Sequence, residues 1–89
     1  DVIKVRRLSE PRSICLEMML IKVAYNATSR SSIIELCQIT GAKIMKVTPK
    51  HLILEYHAPT DEVEDFIQML KSFGIAEVQR TGTIAMEYK

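Results

Sequence analysis

Two histidines are the first residues whose type suggests a metal site. His51 and His57 have the parity of one face of a single predicted strand. Six residues at ~3.3 Å each put them roughly 20 Å apart, which is too far to share one ion, and neither has an acidic or thiol ligand directly beside it. We therefore predict that both are surface residues near strand ends and that they hold no metal ion.

Cysteines and serines could supply a nucleophile, but their spacing favours structural roles. Cys15 and Cys37 lack the CxxC pattern of redox and metal sites, and Cys37 has the spacing of a buried helix position. Ser29, Ser31 and Ser32 cluster where a helix is predicted to begin, and no nucleophile-elbow motif surrounds them. No nucleophile, base and anion-binding loop converge in the sequence, so we predict a protein with no catalytic activity of its own and no bound metal or organic cofactor.

Composition disfavours several ligand classes. The 12 basic and 11 acidic residues give a net charge of +1, which provides no broad positive field for nucleic acid or an anionic membrane. Aromatic residues make up 6% of the chain and Trp is absent, so no base-stacking platform is predicted. The longest apolar run, Met18–Ile21, is far shorter than the ~20 residues of a membrane span. Asn26 and Arg30 could bind a phosphate, but their loop is not glycine-rich.

Periodicity predicts the elements that position these residues. The 89 residues suffice for one domain, and 47% of them are hydrophobic. Leu16–Tyr25 is apolar at both parities, which predicts a central strand covered on both faces. A helix follows from its N-cap Ser29 to a stop at Gly41. Its predicted buried residues recur at i, i+3, i+4 and i+7, and they are Ile33, Leu36, Cys37 and Thr40.

The second half of the chain predicts a hairpin, a helix and a strand. Ala42–Val47 and His51–Tyr56 are β-type runs with the short separation of a hairpin. The second helix begins near Thr60 and ends at Gly74, and a last strand covers Ile75–Gln79 before a short apolar tail. The apolar face of the second helix consists of Val63, Phe66, Ile67 and Leu70.

The element order is βαββαβ, which predicts an α+β ferredoxin-like fold. Both helices then pack on one face of a four-stranded antiparallel sheet. The opposite face has no cover of its own, although the central strand is apolar on both sides. Met18 or Met19 must lie on that face, and both are candidate partner contacts. We expect the chain to form a homodimer through this face.

Four segments of the chain follow the pattern of one family in the same order. Leu16–Val23 reads LEMMLIKV against R-E-L-x-L-I-K-V, and Ser29–Leu36 reads SRSSIIEL against T-R-x-x-I-x-E-L. Ala42–Pro49 reads AKIMKVTP against A-K-I-x-D-V-T-P, and Phe73–Gly82 reads FGIAEVQRTG against F-G-I-x-E-x-x-R-T-G. The sequence from Leu16 onward thus resembles the small, regulatory subunit of acetolactate synthase (acetohydroxyacid synthase).

The resemblance implies a regulatory role. It implies that residues 14–89 form the C-terminal ferredoxin-like domain of the subunit, and that residues 1–13 are a trailing strand and linker from a preceding ACT domain. In this family the small subunit activates the thiamine-diphosphate-dependent catalytic large subunit. It also confers feedback by branched-chain amino acids such as valine, chiefly through the ACT domains. The implied location is the cytoplasm in a bacterium, and a plastid or mitochondrion in a eukaryote.

The turn Arg80-Thr81-Gly82 is among the segments that match the family best. It follows the last predicted core strand and carries a charge that the core does not need, so we predict that it contacts a partner rather than fixing the fold. The alternative is that the turn is a solvated loop in which Gly82 only permits a positive φ. For the whole chain, the runner-up function is a free-standing ACT-type sensor of an amino acid, with Asn26 in its ligand loop. A small phosphate-cleaving enzyme ranks third.

Overall fold

A computed structural model describes residues 12–88 of the chain. The predicted strand and linker at residues 1–13 therefore fall almost wholly outside the described residues. The elements in chain order are β1 (Ser13–Ala24), α1 (Arg30–Thr40), β2 (Lys43–Val47), β3 (His51–Ala58), α2 (Thr60–Leu70), a 3₁₀ turn (Lys71–Phe73), β4 (Ile75–Arg80) and β5 (Ile84–Glu87).

The first six strands and helices confirm the predicted ferredoxin-like order. The sheet is antiparallel with the strand order β2-β3-β1-β4, so β1 lies between β3 and β4. This position explains why β1 carries the most apolar sequence in the chain, since it is the central strand. Both helices cover the same face of the sheet.

The core fills the space between the sheet and the two helices. Alternate residues of β1 and β3 point into it, as the period of two of a strand requires. The stacked rings of Tyr56 and Phe66 join β3 to α2, with centroids 4.4 Å apart. The buried apolar side chains are Met19, Ile21, Val23, Ile33, Cys37, Leu52, Leu54, Ala58, Val63, Phe66 and Leu70.

Helix α1 begins by a different device from the one predicted. The Ser29 hydroxyl does not cap the helix; it accepts a hydrogen bond from the Asn26 backbone N–H. The Asn26 side-chain oxygen instead accepts from the backbone N–H groups of Thr28 and Ser29. This Asx-type turn satisfies donors just before the helix begins. The predicted stop is confirmed, because Gly41 adopts φ +84° and its N–H bonds the Cys37 carbonyl.

A fifth strand is the main difference from the predicted four-stranded sheet. The apolar tail forms β5, which pairs with the first residues of β1 from Ser13↔Glu87 to Leu16↔Ile84. Strand β1 therefore begins before Leu16 and runs past the end of β3, whose last partner is Glu17. We call this two-stranded extension, made of residues 13–16 and 84–87, the ribbon.

Candidate functional site

The sheet face opposite the helices is open in the described chain. Even-numbered residues of β1 point to it, and Met18 and Leu20 keep 45% and 41% of their surface exposed. Ile53 on β3 lies beside Lys22 on the same face, and it is partly buried. Large apolar side chains left in water favour association. Complete burial of one is worth roughly 1.5–3 kcal/mol, and Met18 and Leu20 have a little under half of that still to gain.

The structure separates the two adjacent methionines that were candidate contacts. Met18 lies on the open face and stays a candidate. Met19 points under the helices and has no exposed surface, so its side chain cannot touch a partner. The candidate contact at Met19 is therefore wrong. Parity within a strand puts neighbours on opposite faces, and the apolar character of both residues concealed which was which.

The apolar stripe of β1 continues into the ribbon. Ile14 and Leu16 have the same parity as Met18, and the register places them beside Met86 and Ile84 on β5. All four side chains are exposed, and with Ala85 they line one shallow groove. A two-stranded ribbon is marginal in water by itself, so this surface is a natural place for a second protein to bind.

Charged side chains frame the open face. Lys22 on β1 forms an ion pair with Glu77 on β4, with 3.5 Å between Nζ and Oε1. Gln79 donates a hydrogen bond to the same Glu77 carboxylate. On β3, Glu55 contacts the Nδ1 of His57 at 3.0 Å. These pairs lie next to the apolar side chains of the face and differ in exposure, since 62% of the His57 side chain but only 15% of the Glu55 side chain is exposed. Polar and apolar side chains thus share this face.

A buried ion pair lies on the other face, where the ribbon leaves the sheet. Glu17 on β1 is almost fully buried, and Arg80 at the end of β4 donates two hydrogen bonds to its carboxylate. Arg80 Nε lies 2.7 Å from Oε2, and Nη2 lies 2.9 Å from Oε1. The third nitrogen of the guanidinium reaches Glu64 on α2 at 2.6 Å. One arginine thus joins β1, β4 and α2 in bidentate geometry.

The surroundings of Glu17 keep it ionised. The hydrogen bonds from Arg80 hold the pKa of Glu17 below its ordinary value, outweighing the desolvation that burial imposes. The Thr60 hydroxyl and the backbone of Gly82 add smaller contributions in the same direction. Because every charge in this cluster has a partner, it is a packing element rather than a poised acid or base.

Thr81 and Gly82 form a β-bulge between β4 and β5. The register runs from Met19↔Arg80 to Leu16↔Ile84, which places three residues opposite two. Thr81 forms two hydrogen bonds with the backbone of Met18, each 3.0 Å long. The Thr81 N–H donates to the Met18 carbonyl, and the Thr81 hydroxyl accepts from the Met18 N–H. Gly82 adopts φ +80°, the left-handed conformation that a bulge of this kind needs.

These contacts correct the prediction that Arg80 is dispensable for the fold. Only 29% of the Arg80 side chain is exposed, and it neutralises the buried Glu17 carboxylate. The segment was predicted to be a turn after the last core strand, but Arg80 is the last residue of β4, and the bulge that follows it links β4 to β5 of the same sheet. Glu17 was missed as the partner of Arg80 because the two lie 63 positions apart in sequence. Thr81 and Gly82 are exposed and stay candidate partner contacts.

The remaining candidates stay apart. Both histidines lie near the ends of β3, as predicted; His57 is exposed on the open face, whereas His51 is partly buried. Cys15 is exposed on the ribbon and Cys37 is buried in α1. Within residues 12–88 no group of three or more His, Cys, Asp or Glu side chains is placed to hold a metal ion. The same residues include no helix long and apolar enough to cross a membrane.

The fold and its surfaces define a ferredoxin-like α+β domain whose exposed apolar surface is suited to contact with another protein. Comparison with known proteins gives the family. Residues 16–89 match the sequence pattern of the family "Small subunit of acetolactate synthase". The chain therefore belongs to the acetolactate synthase small-subunit family.

Individual relatives agree with this assignment. The chain is 37% identical over 87 residues to the "Probable acetolactate synthase small subunit" of Methanothermobacter thermautotrophicus, covering 97% of this chain and 52% of that protein. It is 31% identical over 86 residues to the acetolactate synthase small subunit of Mycolicibacterium smegmatis, covering 97% of this chain and 51% of that one. The crystal structure of the Thermotoga maritima small subunit superposes with a TM-score of 0.82 at 32% identity, over 89% of this chain and 48% of that chain. The chain spans about half the length of these relatives.

Proposed function

We propose that this chain is the C-terminal regulatory domain of an acetolactate synthase small subunit. In this role it supports activation of the thiamine-diphosphate-dependent catalytic large subunit and its feedback control by branched-chain amino acids, and it performs no catalysis itself. The observation that carries the proposal is the exposed apolar surface on a chain of this family. Relatives that are named small subunits imply a larger partner, and such a surface is what a partner would bury.

The ribbon is the proposed contact for the catalytic subunit. It projects beyond β3, and Ile84 and Met86 are among the most exposed apolar side chains described. Thr81 and Gly82, at the base of the ribbon, would lie at the edge of the same contact. Arg80 would act indirectly, because its bonds to Glu17 and Glu64 fix the direction in which the ribbon leaves the domain.

Reconstitution with the catalytic subunit tests this contact. The small subunit that contains this chain is titrated into the catalytic subunit, and the rate of acetolactate formation is followed. Ile84→Asp should raise the concentration needed for half-maximal activation at least ~10-fold, since one buried apolar contact is replaced by an unpaired charge. Ile39→Asp is the matched control, because Ile39 is 75% exposed on α1, away from the ribbon. Equal effects of the two substitutions would contradict the proposed contact.

The open sheet face is the proposed surface for a homodimer. Met18 and Leu20 supply its apolar centre, and a second copy would bury both. Light scattering on the chain should show a dimer at micromolar concentration. Leu20→Asp should shift it to a monomer, and a wild-type chain that stays monomeric at high micromolar concentration would contradict the proposal.

The amino-acid-sensor alternative has weaker support. Asn26, its proposed ligand residue, already uses its side-chain oxygen within its own turn. We infer that valine binds outside this chain, so isothermal titration with valine should show no heat of binding. Binding by the chain alone would favour the sensor. The proposed location is the cytoplasm in a bacterium and a plastid or mitochondrion in a eukaryote; a related small subunit of Arabidopsis thaliana is named chloroplastic.

A further inference from the structure

The charged side chains on the open face differ in sign between the two edge strands. Cross-strand partners share a face, so the register places Lys43 beside Glu55, and Lys46 beside Ile53, on the open side of β2. At the opposite edge, β4 presents Glu77 and Gln79 to the same side. The face therefore has a basic edge on β2 and an edge on β4 whose one charge is acidic. Between these edges lie Met18, Leu20 and Ile53, together with the charged side chains of Lys22 and Glu55.

The two edges of this face differ in charge. With its strands aligned, the face can pack on a copy of itself in two orientations, and only one of them brings opposite charges together. When two sheets pack face to face with their strands aligned, the two-fold axis lies between them, either nearly parallel to the strands or across them. An axis across the strands puts β2 over the partner's β2, so that lysines meet lysines. An axis parallel to the strands puts β2 over the partner's β4, so that lysines meet Glu77 and Gln79. Charge complementarity selects the parallel axis.

We propose that two copies of this chain pack open face to open face about a two-fold axis parallel to the strands, with Lys46 of each copy beside the partner's Glu77. This inference rests on the proposed self-association and adds its orientation and its charged contacts. Glu77 can serve both its own Lys22 and the partner's Lys46, because 55% of its side chain is exposed and the pair with Lys22 is long, at 3.5 Å. The centre of the contact would be Met18, Leu20 and Ile53.

The same orientation accounts for the position of the ribbon. A two-fold axis parallel to the strands leaves both ribbons at one end of the dimer, whereas an axis across the strands would send them to opposite ends. Ile14 and Leu16 continue the stripe of Met18 along β1, so the apolar faces of both ribbons would be turned toward the plane between the two copies, at the same end of the dimer. The catalytic subunit would then meet both ribbons at one end of the dimer instead of one ribbon at each end.

Charge reversal tests the orientation. By analytical ultracentrifugation, Lys46→Glu should raise the dimer dissociation constant about 10-fold, since symmetry doubles each charged contact. Glu77→Lys should do the same, and the double variant should return to within about twofold of the wild type. Lys71→Glu is the control, because it makes the same charge change outside the sheet. With an axis across the strands, Lys46→Glu would instead tighten the dimer by removing repulsion between the two β2 edges.

Disulfide trapping gives a second measurement that distinguishes the two proposals. In a Cys15→Ser background, a chain with Lys46→Cys and a chain with Glu77→Cys are oxidised separately and as a mixture. We expect a disulfide-linked dimer from the mixture and none from either chain alone. A linked dimer from the Glu77→Cys chain alone would overturn this orientation but leave self-association standing. A wild-type chain that is monomeric would overturn both.

Discussion

The two faces of the sheet use the same strand in opposite ways. On the helix side, Met19, Ile21 and Val23 of β1 have no exposed surface, and they form the centre of the core. On the other side, Met18 and Leu20 are as apolar but lie in water. Apolar residues along β1 therefore serve folding on one face, while on the other face they form the surface that we propose a second copy buries. The residues can be told apart only by parity and by what covers each face.

Adjacent methionines provide the largest expected contrast. Met19→Ala should cost about 2–5 kcal/mol of unfolding free energy, because it empties part of a packed core. Met18→Ala should change the stability of the monomer by less than about 0.5 kcal/mol, as at an ordinary surface site, while weakening the dimer. Urea denaturation of both variants below the dimer dissociation constant measures the difference. Equal costs would contradict the assignment of the two faces.

The Arg80–Glu17 pair should come next in size. Arg80→Ala leaves a buried carboxylate without its bidentate partner, so the melting temperature should fall by at least ~8 °C. Arg30→Ala is the control, since Arg30 is exposed at the start of α1. Thermal melts followed by circular dichroism compare the two. If the melting temperature fell as little as in the control, Arg80 would be an ordinary surface charge and not part of the fold.

Acid should weaken the domain through the same carboxylate. The pKa of Glu17 is lowered in the folded state from an ordinary value of 4.5, so the stabilisation is complete above that value and is lost as the pH falls through the folded pKa. The stability difference between the wild type and Glu17→Gln should therefore shrink as the pH falls below 4.5. Denaturation curves over a series of pH values measure this difference. If the stability difference between the two proteins did not depend on pH, the negative charge of Glu17 would not be the source of the stabilisation.

The bulge between the domain and the ribbon should give the smallest effect. Nothing lies within 4 Å of a Cβ added at Gly82, so Gly82→Ala meets only the strain of φ +80°. We expect a loss of about 1 kcal/mol, and less for Gly82→Asn, because asparagine tolerates this conformation better. Chemical denaturation of both variants provides the check. A larger loss for asparagine than for alanine would exclude backbone strain as the cause.

Much of the fold could be predicted from the sequence because its signals are local. The helix periodicity of Ile33 and Cys37 and the stop at Gly41 depend on neighbours within a few residues, and the structure confirms them. Strand β5 could not be predicted because Ile84, Ala85 and Met86 form too short a run to show the alternation of apolar and polar residues that marks a strand. The partner of Arg80 could not be predicted because it is 63 positions away. Contacts of this kind depend on the topology, which no local pattern contains.

The methionines allow one direct test of the interaction surface. Met86 lies on the ribbon and Met69 on α2, and both are exposed, while Met19 is buried as an internal reference. The small subunit is oxidised by dilute peroxide with and without the catalytic subunit, and each methionine is quantified by mass spectrometry. The account predicts that the catalytic subunit slows oxidation of Met86 several-fold and leaves Met69 unchanged. Protection of Met69 with Met86 still reactive would contradict it and would place the partner on the helices.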